Sequence, residues 1–227
     1  MGSSKLLLPL LGVAIGFIAV TLGPDFFAAF NESTFTIGEE SANIDGMTFP
    51  KDIKIAGSKQ SLIGGGTRSK WGFRVYTVGF FGDSKLIKTL KKKYTGDNIA
   101  VSTNDFTESK LARTMLLRFQ REVASSEVSD SLGEALIDKV GKETSNTYSS
   151  FILDMIGGDK LEKGSDMFIT CKGEKLWASL TEGKDASTIS IKGLCSVILK
   201  MYLGDSPVSP QVKEGFEKNF ADLLSSS

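Results

Sequence analysis

The sequence contains no histidine and only two cysteines, Cys171 and Cys195, among its 227 residues. Without histidine the chain cannot build a Ser-His-Asp triad, a Cys-His nucleophile pair, or a histidine-ligated zinc or haem site. The two cysteines lie far apart and have no further Cys or His beside them, so their spacing indicates neither a disulfide framework nor a zinc finger. Cys195 is predicted to be a small buried residue on an apolar helix. We therefore expect no metal and no cofactor.

The chain also has no net charge. The chain has 27 basic and 27 acidic residues, so its formal net charge at pH 7 is +0. An electroneutral chain has no overall attraction to nucleic acid or to an acidic membrane surface. Nucleic acid is therefore not an expected partner. Composition by itself does not choose among an enzyme, a carrier and a scaffold.

Charged residues are absent from one long run near the N-terminus, which extends from Leu6 to Pro24 between Lys5 and Asp25. A membrane-spanning helix needs about 20 apolar residues, whereas the apolar part of a cleaved signal peptide has about 7–15. The length favours a membrane anchor within a hydrophobic segment at residues 1–25. A cleaved signal, the front of an organelle-targeting sequence and a buried helix remain alternatives. The sequence does not resolve whether the membrane belongs to a plastid, a mitochondrion or the secretory pathway.

Residues 26–43 show little periodic pattern and are predicted to be a linker. The folded domain is then predicted to cover residues 44–227, about 180 residues. The linker contains the sequon Asn31-Glu32-Ser33, which would be glycosylated only in a domain that faces the lumen of the endoplasmic reticulum.

The order of the patterns in the domain predicts an α+β fold. Short strand patterns come first, and Gly64-Gly65-Gly66 reads as a turn before the strongest β pattern, from Thr67 to Phe81. Strand and helix do not alternate, so a doubly wound parallel sheet is disfavoured, and we expect a large antiparallel sheet with helices on one face. Helices are predicted at residues 84–94, 126–140, 146–156, 194–203 and from 209 onward, and further strands at 111–119, 167–171, 175–180 and 188–191.

Three motifs occur in a characteristic order. They are IDGMTFP at residues 44–50, GGGTR at 64–68 leading into VYTVGFF at 75–81, and YLGDSPVSP at 202–210. In these motifs the chain resembles chalcone isomerase-like proteins over about residues 44–224. The resemblance implies an open-faced β-sandwich, in which a layer of helices covers one face of a large antiparallel sheet and a ligand cleft lies between.

The resemblance also implies a ligand and a site. The family contains true chalcone isomerases, which close a chalcone to a flavanone, and fatty-acid-binding proteins. In both branches an arginine at the end of the Gly-rich turn points into the cleft, and in the binding proteins a tyrosine shares the ligand carboxylate with it. Arg68 and Tyr76 occupy these positions. The implied partner is a fatty acid or a similar apolar carboxylate, or a flavonoid-like ligand.

The eight-residue separation of Arg68 and Tyr76 requires a turn between them. Along one straight strand their backbones would lie about 26 Å apart, too far for two groups to hold one carboxylate. A three-residue loop at Trp71-Gly72-Phe73 would pair Lys70 with Arg74 and Arg68 with Tyr76, on the same face of the hairpin. The planar fork of the Arg68 guanidinium then suits a carboxylate.

The resemblance supports catalysis less well. Chalcone isomerases place a catalytic tyrosine in the segment that corresponds to residues 122–128, where this chain has none, and the nearest tyrosine is Tyr148. The favoured interpretation is non-catalytic ligand binding by a membrane-tethered or organelle-targeted domain. One alternative is an intramolecular lyase of the chalcone isomerase type, in which Arg68 stabilises a developing oxyanion. Another is a degenerate scaffold or accessory domain whose cleft is closed by side chains.

Overall fold

The computed structural model describes residues 35–94, 102–180 and 186–225 of the chain. The apolar run predicted as a membrane segment, residues 6–24, and the sequon at Asn31 lie outside these ranges. Within them, no helix is long and apolar enough to cross a membrane.

Twelve strands lie in the described ranges, and most follow alternating or short apolar runs. They are β1 (Thr36–Ile37), β2 (Ser41–Ile44), β3 (Met47–Pro50), β4 (Asp52–Ile55), β5 (Ser58–Lys70), β6 (Phe73–Asp83), β7 (Arg113–Phe119), β8 (Val123–Ala124), β9 (Lys160–Leu161), β10 (Asp166–Lys172), β11 (Lys175–Leu180) and β12 (Ser187–Ser190).

The described ranges also contain seven helices. They are α1 (Ser84–Lys93), α2 (Thr103–Thr107), α3 (Ser125–Glu134), α4 (Ile137–Val140), α5 (Lys142–Ile156), α6 (Leu194–Leu203) and α7 (Pro210–Ser225). The helix predicted over residues 126–140 is interrupted between α3 and α4, and the helix predicted from Asn146 begins at Lys142. Gly141, at φ +80°, separates α4 from α5.

Eight strands form one antiparallel sheet in the order β1-β4-β5-β6-β7-β10-β11-β12. Six helices, α1, α2, α3, α5, α6 and α7, contribute buried side chains to a single core against one face of this sheet. The β2–β3 hairpin packs Ile44 and Phe49 against the other face, on Phe81, Leu116 and Phe168. The predicted α+β fold, a large antiparallel sheet with a layer of helices, is confirmed.

The segment predicted as a linker contains ordered strands. β1 pairs with β4 at the edge of the large sheet, and β2 pairs with β3. β1 and the first three residues of β2 thus fall within residues 26–43, where the sequence shows little periodic pattern. Strands of two and four residues are too short to show an alternating pattern in the sequence. They are stabilised by pairing with neighbouring strands.

Gly64, Gly65 and Gly66 lie in the middle of β5 and not in a turn, which corrects the sequence prediction. Helix α7 crosses the strand at this place, and a Cβ on Gly66 would lie 2.8 Å from the carbonyl oxygen of Gln211. A Cβ on Gly64 would lie 2.7 Å from the Cβ of Asn219. Glycine inside a strand is typical of such close backbone approach.

The β5–β6 turn has two residues and not the predicted three. Trp71 and Gly72 both have positive φ, +52° and +81°, as a type I′ turn requires, and Lys70 pairs with Phe73. The predicted pairing of Lys70 with Arg74 is therefore wrong. An irregularity between Arg68 and Ser69 then shifts the register by one residue, so that Arg68 pairs with Tyr76 as predicted.

Cys171 of β10 and Cys195 of α6 form a disulfide, with their Cα atoms 5.6 Å apart. Both residues are buried, as predicted for Cys195. The sequence spacing indicated no disulfide framework, and this prediction is wrong for the pair. Their separation of 24 residues says little about distance, because β11 and β12 return the chain to the sheet before α6 begins.

Candidate functional site

Arg68 and Tyr76 lie side by side on the face of the β5–β6 hairpin that the helices cover. Their backbones are cross-strand partners, and Arg68 Nη1 donates a hydrogen bond to Tyr76 Oη at 3.0 Å. The Arg68 Cζ atom lies 5.7 Å from the centre of the Tyr76 ring. Tyr76 is buried and its ring meets Phe119 edge to face, whereas Arg68 remains partly exposed. The structure thus brings together the two predicted site residues.

A second tyrosine, Tyr202 from the last turn of α6, completes a hydrogen-bonded chain with this pair. Its hydroxyl oxygen lies 2.5 Å from Tyr76 Oη, and its side chain is fully buried. The sequence analysis did not identify Tyr202 as a site residue. It is the first residue of the YLGDSPVSP motif, and a polar hydroxyl among the apolar residues of α6 was the signal that could have revealed it.

A third tyrosine, Tyr148 of α5, contributes a buried hydroxyl to the same neighbourhood. Its hydroxyl has no hydrogen-bond partner among the described residues, and burial, followed by the nearby Tyr76, raises its pKa. A buried polar group without a partner costs roughly 1–3 kcal/mol of stability. Tyr148 lies outside the segment in which a catalytic tyrosine was sought, yet the fold brings it close to Tyr76.

The electrostatics of the cluster favour a bound anion. Burial lowers the pKa of Arg68, but the hydroxyls of Tyr76 and Tyr202 outweigh this effect and hold the pKa above the usual arginine value. Burial raises the pKa of Tyr148 and Tyr202 above the usual tyrosine value, so both stay neutral near pH 7. Among the described residues, the hydrogen bonds of Arg68 reach no carboxylate. The cluster therefore carries one positive charge and several donors.

An apolar cleft lies beside the cluster, between the sheet and α3. Partly exposed Lys70 and exposed Glu127 mark its opening to solvent. Its volume is about 20 Å³, enough for one water molecule. In this conformation the side chains of α3 close the cleft. Its walls include Arg68, Tyr76, Val75, Leu117 and Phe119 from the sheet and Val128 and Leu132 from α3.

Two hydrogen bonds join helix α3 to helix α5. Ser145 Oγ donates a hydrogen bond to the Gly133 carbonyl oxygen at 2.8 Å, and Ser149 Oγ donates to the Ser129 carbonyl oxygen at 3.0 Å. Val128 and Leu132 of α3 face the sheet residue Leu117 across the cleft, so opening of the cleft requires the loss of this side-chain packing.

The described ranges contain no candidate metal-binding site. No group of three or more Cys, Asp and Glu side chains is arranged there to hold a metal ion.

Comparison with known proteins gives a family and a fold. A family model described as chalcone isomerase-like matches residues 41–216. No curated protein matches the chain. Among solved structures, a fatty-acid binding protein of Arabidopsis thaliana is similar with a TM-score of 0.63 and 22% sequence identity, over 82% of this chain and 99% of that chain. At this identity the similarity shows a shared fold.

Proposed function

The chain belongs to the chalcone isomerase-like family, and we propose that its domain binds a fatty acid or a similar apolar carboxylate without catalysing a reaction on it. The observation that carries this proposal is the Arg68 guanidinium beside an apolar cleft, which donates to the Tyr76 hydroxyl and, within the described residues, to no carboxylate. A guanidinium fork binds a carboxylate through charge-assisted hydrogen bonds. The name of the Arabidopsis protein with the same fold agrees with this ligand class.

In the proposed complex, Arg68 and Tyr76 bind the carboxylate and the apolar walls of the cleft contact the tail. This division between one polar anchor and an apolar remainder is typical of small-molecule sites. The acyl chain cannot fit into about 20 Å³, so binding requires Val128 and Leu132 of α3 to move away from Leu117 and Phe119.

The ionisation of the cluster supports binding over catalysis. A general acid or base works best when its pKa lies near the operating pH. Burial instead moves the pKa of Tyr148 and of Tyr202 away from neutrality. A flavonoid-like ligand is the alternative occupant of the cleft. An intramolecular lyase reaction is the alternative function, and a chalcone cyclisation assay tests it.

Ligand binding can be tested on the full chain after removal of co-purified lipid. Lipid extracted from the purified protein is identified by mass spectrometry, and the delipidated protein is titrated with a long-chain fatty acid and with the fatty alcohol of equal length. We expect an acyl carboxylate in the extract and tighter binding of the acid than of the alcohol. Arg68→Met should weaken acid binding about 10- to 100-fold, the effect of losing a charged hydrogen bond, and leave alcohol binding nearly unchanged.

Arg74→Met is the matched control, because it removes the same charge from the same hairpin. Arg74 is exposed and donates to the backbone carbonyl of Asp45, outside the cleft lining. Its affinity for the acid should stay within about twofold of the parent. Absence of acyl chain in the extract together with no uptake of added acid would favour the scaffold alternative. Cyclisation of a chalcone faster than in buffer would instead favour the lyase.

We also propose that residues 6–24 tether the domain to a membrane of the secretory pathway. The support for this compartment is the Cys171–Cys195 disulfide, since disulfides persist where thiols are oxidised. A fluorescent fusion with carbonate extraction tests location and anchoring together. In the secretory lumen Asn31→Gln should remove a glycan and increase gel mobility. Location in a plastid or mitochondrion, or release by carbonate, would contradict this part of the proposal.

A further inference from the structure

The tip of the β5–β6 hairpin exposes two aromatic side chains next to each other. Trp71 is 85% exposed and Phe73 is 67% exposed, the largest values for large hydrophobic side chains in the described ranges. Single exposed apolar residues are ordinary on protein surfaces. Two aromatic rings at one turn form a local apolar surface with no partner among the described residues, and such a surface points to an interaction site.

Cations flank the two aromatic rings. Residues 68–74 contain Arg68, Lys70 and Arg74 and no acidic residue. Lys70 Nζ lies 4.8 Å from the centre of the Trp71 ring, a cation–π distance. The tip is therefore basic and aromatic although the whole chain has no net charge.

The acidic groups near the tip are engaged elsewhere. The Asp45 carboxylate accepts a hydrogen bond from the Thr67 backbone N–H at 2.8 Å. Glu127, at the opening of the cleft, lies 3.5 Å from the Arg121 guanidinium. Neither carboxylate neutralises Lys70 through an ion pair within the described ranges, so the positive charge of the tip remains available to an outside partner.

The tip also projects beyond the neighbouring strands. Pairing of β6 with β7 ends at Tyr76 and Phe119, and pairing of β5 with β4 ends at Ser61. Three more residues of β6 then lead to the turn, which places Phe73 about 10 Å beyond the last β6–β7 pair. A projecting two-residue turn can reach a flat surface that the rest of the sheet cannot touch.

We propose that the hairpin tip, residues 70–74, docks onto the surface of a bilayer that contains anionic lipids. Trp71 and Phe73 insert among the headgroups, where aromatic rings are favoured, and Lys70 and Arg74 contact lipid phosphates. A lipid surface fits better than a protein partner, because a stable protein interface buries about 800 Å² on each side, more than two side chains supply. This contact is separate from the tether proposed for residues 6–24.

The position of the tip connects docking with the cleft. Lys70 belongs to the tip and also lines the cleft opening, and Arg68 lies two residues away on the same strand. A docked tip therefore places the cleft opening at the membrane surface, from which an apolar carboxylate could pass to Arg68. This consequence rests on the proposed function, whereas docking itself does not.

Tryptophan fluorescence offers a direct test, because the chain has only two tryptophans, Trp71 and Trp177. Trp177 is buried, and Trp177→Phe leaves Trp71 as the sole reporter at the tip. The full-length variant is delipidated and mixed with vesicles of phosphatidylcholine alone or with phosphatidylserine, with and without brominated acyl chains. We expect a blue shift of Trp71 emission and quenching by brominated lipid, both stronger with phosphatidylserine. Replacing Lys70 or Arg74 with Gln should weaken the contact of the tip with the lipid surface about fivefold for each cation, measured as a loss of Trp71 quenching by brominated lipid.

The readout reports the surroundings of Trp71 itself, so attachment through residues 6–24 alone should leave Trp71 accessible to water. Trp71→Phe, which retains Trp177 alone, is the control and should show no shift. If Trp71 stays accessible to an aqueous quencher on vesicles that carry the protein, the proposal is wrong. The same blue shift without vesicles at rising protein concentration would overturn it in favour of self-association. No fatty acid is added, so failure of the proposed ligand binding would leave this result unaffected.

Discussion

The hydroxyl oxygens of Tyr76 and Tyr202 lie 2.5 Å apart although 126 residues separate them in the sequence. Tyr76 Oη also accepts a hydrogen bond from Arg68 Nη1, so one hydroxyl hydrogen of the pair is used between the two rings and the other remains available. The buried Tyr148 hydroxyl, which has no hydrogen-bond partner among the described residues, adds a further available donor. A ligand carboxylate is the kind of acceptor that would satisfy them.

The same substitution should lower stability at one buried tyrosine and not at the other. Tyr202→Phe removes the hydrogen bond to Tyr76 and should lower the free energy of unfolding by about 1 kcal/mol. Tyr148→Phe removes a hydroxyl that has no partner in the described part of the chain and should leave the free energy of unfolding unchanged or raise it, by up to about 1–3 kcal/mol. Urea unfolding of both variants measures the difference. An equal loss in both would mean that the Tyr148 hydroxyl has a partner.

Alkaline pH should destabilise the domain through Tyr148 and Tyr202. Burial raises the pKa of both above the usual value near 10, so the native state keeps protons that the unfolded state releases. The stabilisation is complete below about pH 10 and should decline above it by about 1.4 kcal/mol per pH unit for each tyrosine. Tyrosinate absorbance should rise for these two residues only together with unfolding.

The two phenylalanine variants supply the control for the alkaline experiment. Above about pH 10, the free energy of unfolding of Tyr148→Phe and of Tyr202→Phe should each fall less steeply with pH, because one buried tyrosine is missing. Ionisation of either residue while circular dichroism still reports a native fold would contradict the predicted burial effect.

Gly66→Ala should destabilise the contact between α7 and the sheet. The added Cβ would lie 2.8 Å from the Gln211 carbonyl oxygen and 3.0 Å from the Val212 Cα, and backbone atoms cannot yield as a flexible side chain can. Overpacking of this kind costs about 1–3 kcal/mol. Gly158→Ala is the matched control, since its Cβ would meet no atom within 4 Å. Thermal unfolding should show a lower midpoint for Gly66→Ala than for the control.

Reduction of the Cys171–Cys195 disulfide should lower stability. The closed loop spans 24 residues, and the loss of its constraint on the unfolded chain corresponds to about 3 kcal/mol. Thiol alkylation with and without reductant, followed by mass spectrometry, measures the bond, and urea unfolding measures its effect. The double variant Cys171→Ser/Cys195→Ser should match the reduced protein and should not respond to reductant. Two alkylated thiols in the unreduced native protein would contradict the assignment.

The most accurate predictions concerned residues that lie close together in the sequence. Arg68 and Tyr76 are eight residues apart in one hairpin, so chain length and strand geometry nearly require their pairing. The two-residue turn at Trp71 and Gly72 was not predicted, because an irregularity in register leaves no mark on the pattern of residue types. The helices α1 and α6 were recognised because each has a regular apolar stripe or run.

Contacts between distant segments were not predictable in the same way. Tyr148 and Tyr202 were missed as site residues, and Cys171 and Cys195 as a pair, because each contact depends on how helices are placed on the sheet. Gly64 to Gly66 was misread for the same reason. Glycine is typical of turns, and only the position of α7 shows that three glycines in a strand accommodate a helix.

By itself the sequence determined the α+β class, the order of most strands and helices, and the neighbourhood of Arg68 and Tyr76, because these depend on residue periodicity and on the geometry of one hairpin. The tertiary structure alone decided that Tyr202 and Tyr148 join Arg68, that Cys171 bonds to Cys195, and that Trp71 and Phe73 stand exposed at a projecting tip. Each of these depends on the packing of side chains from elements far apart in the chain, and burial, exposure and partner choice arise only when those elements meet.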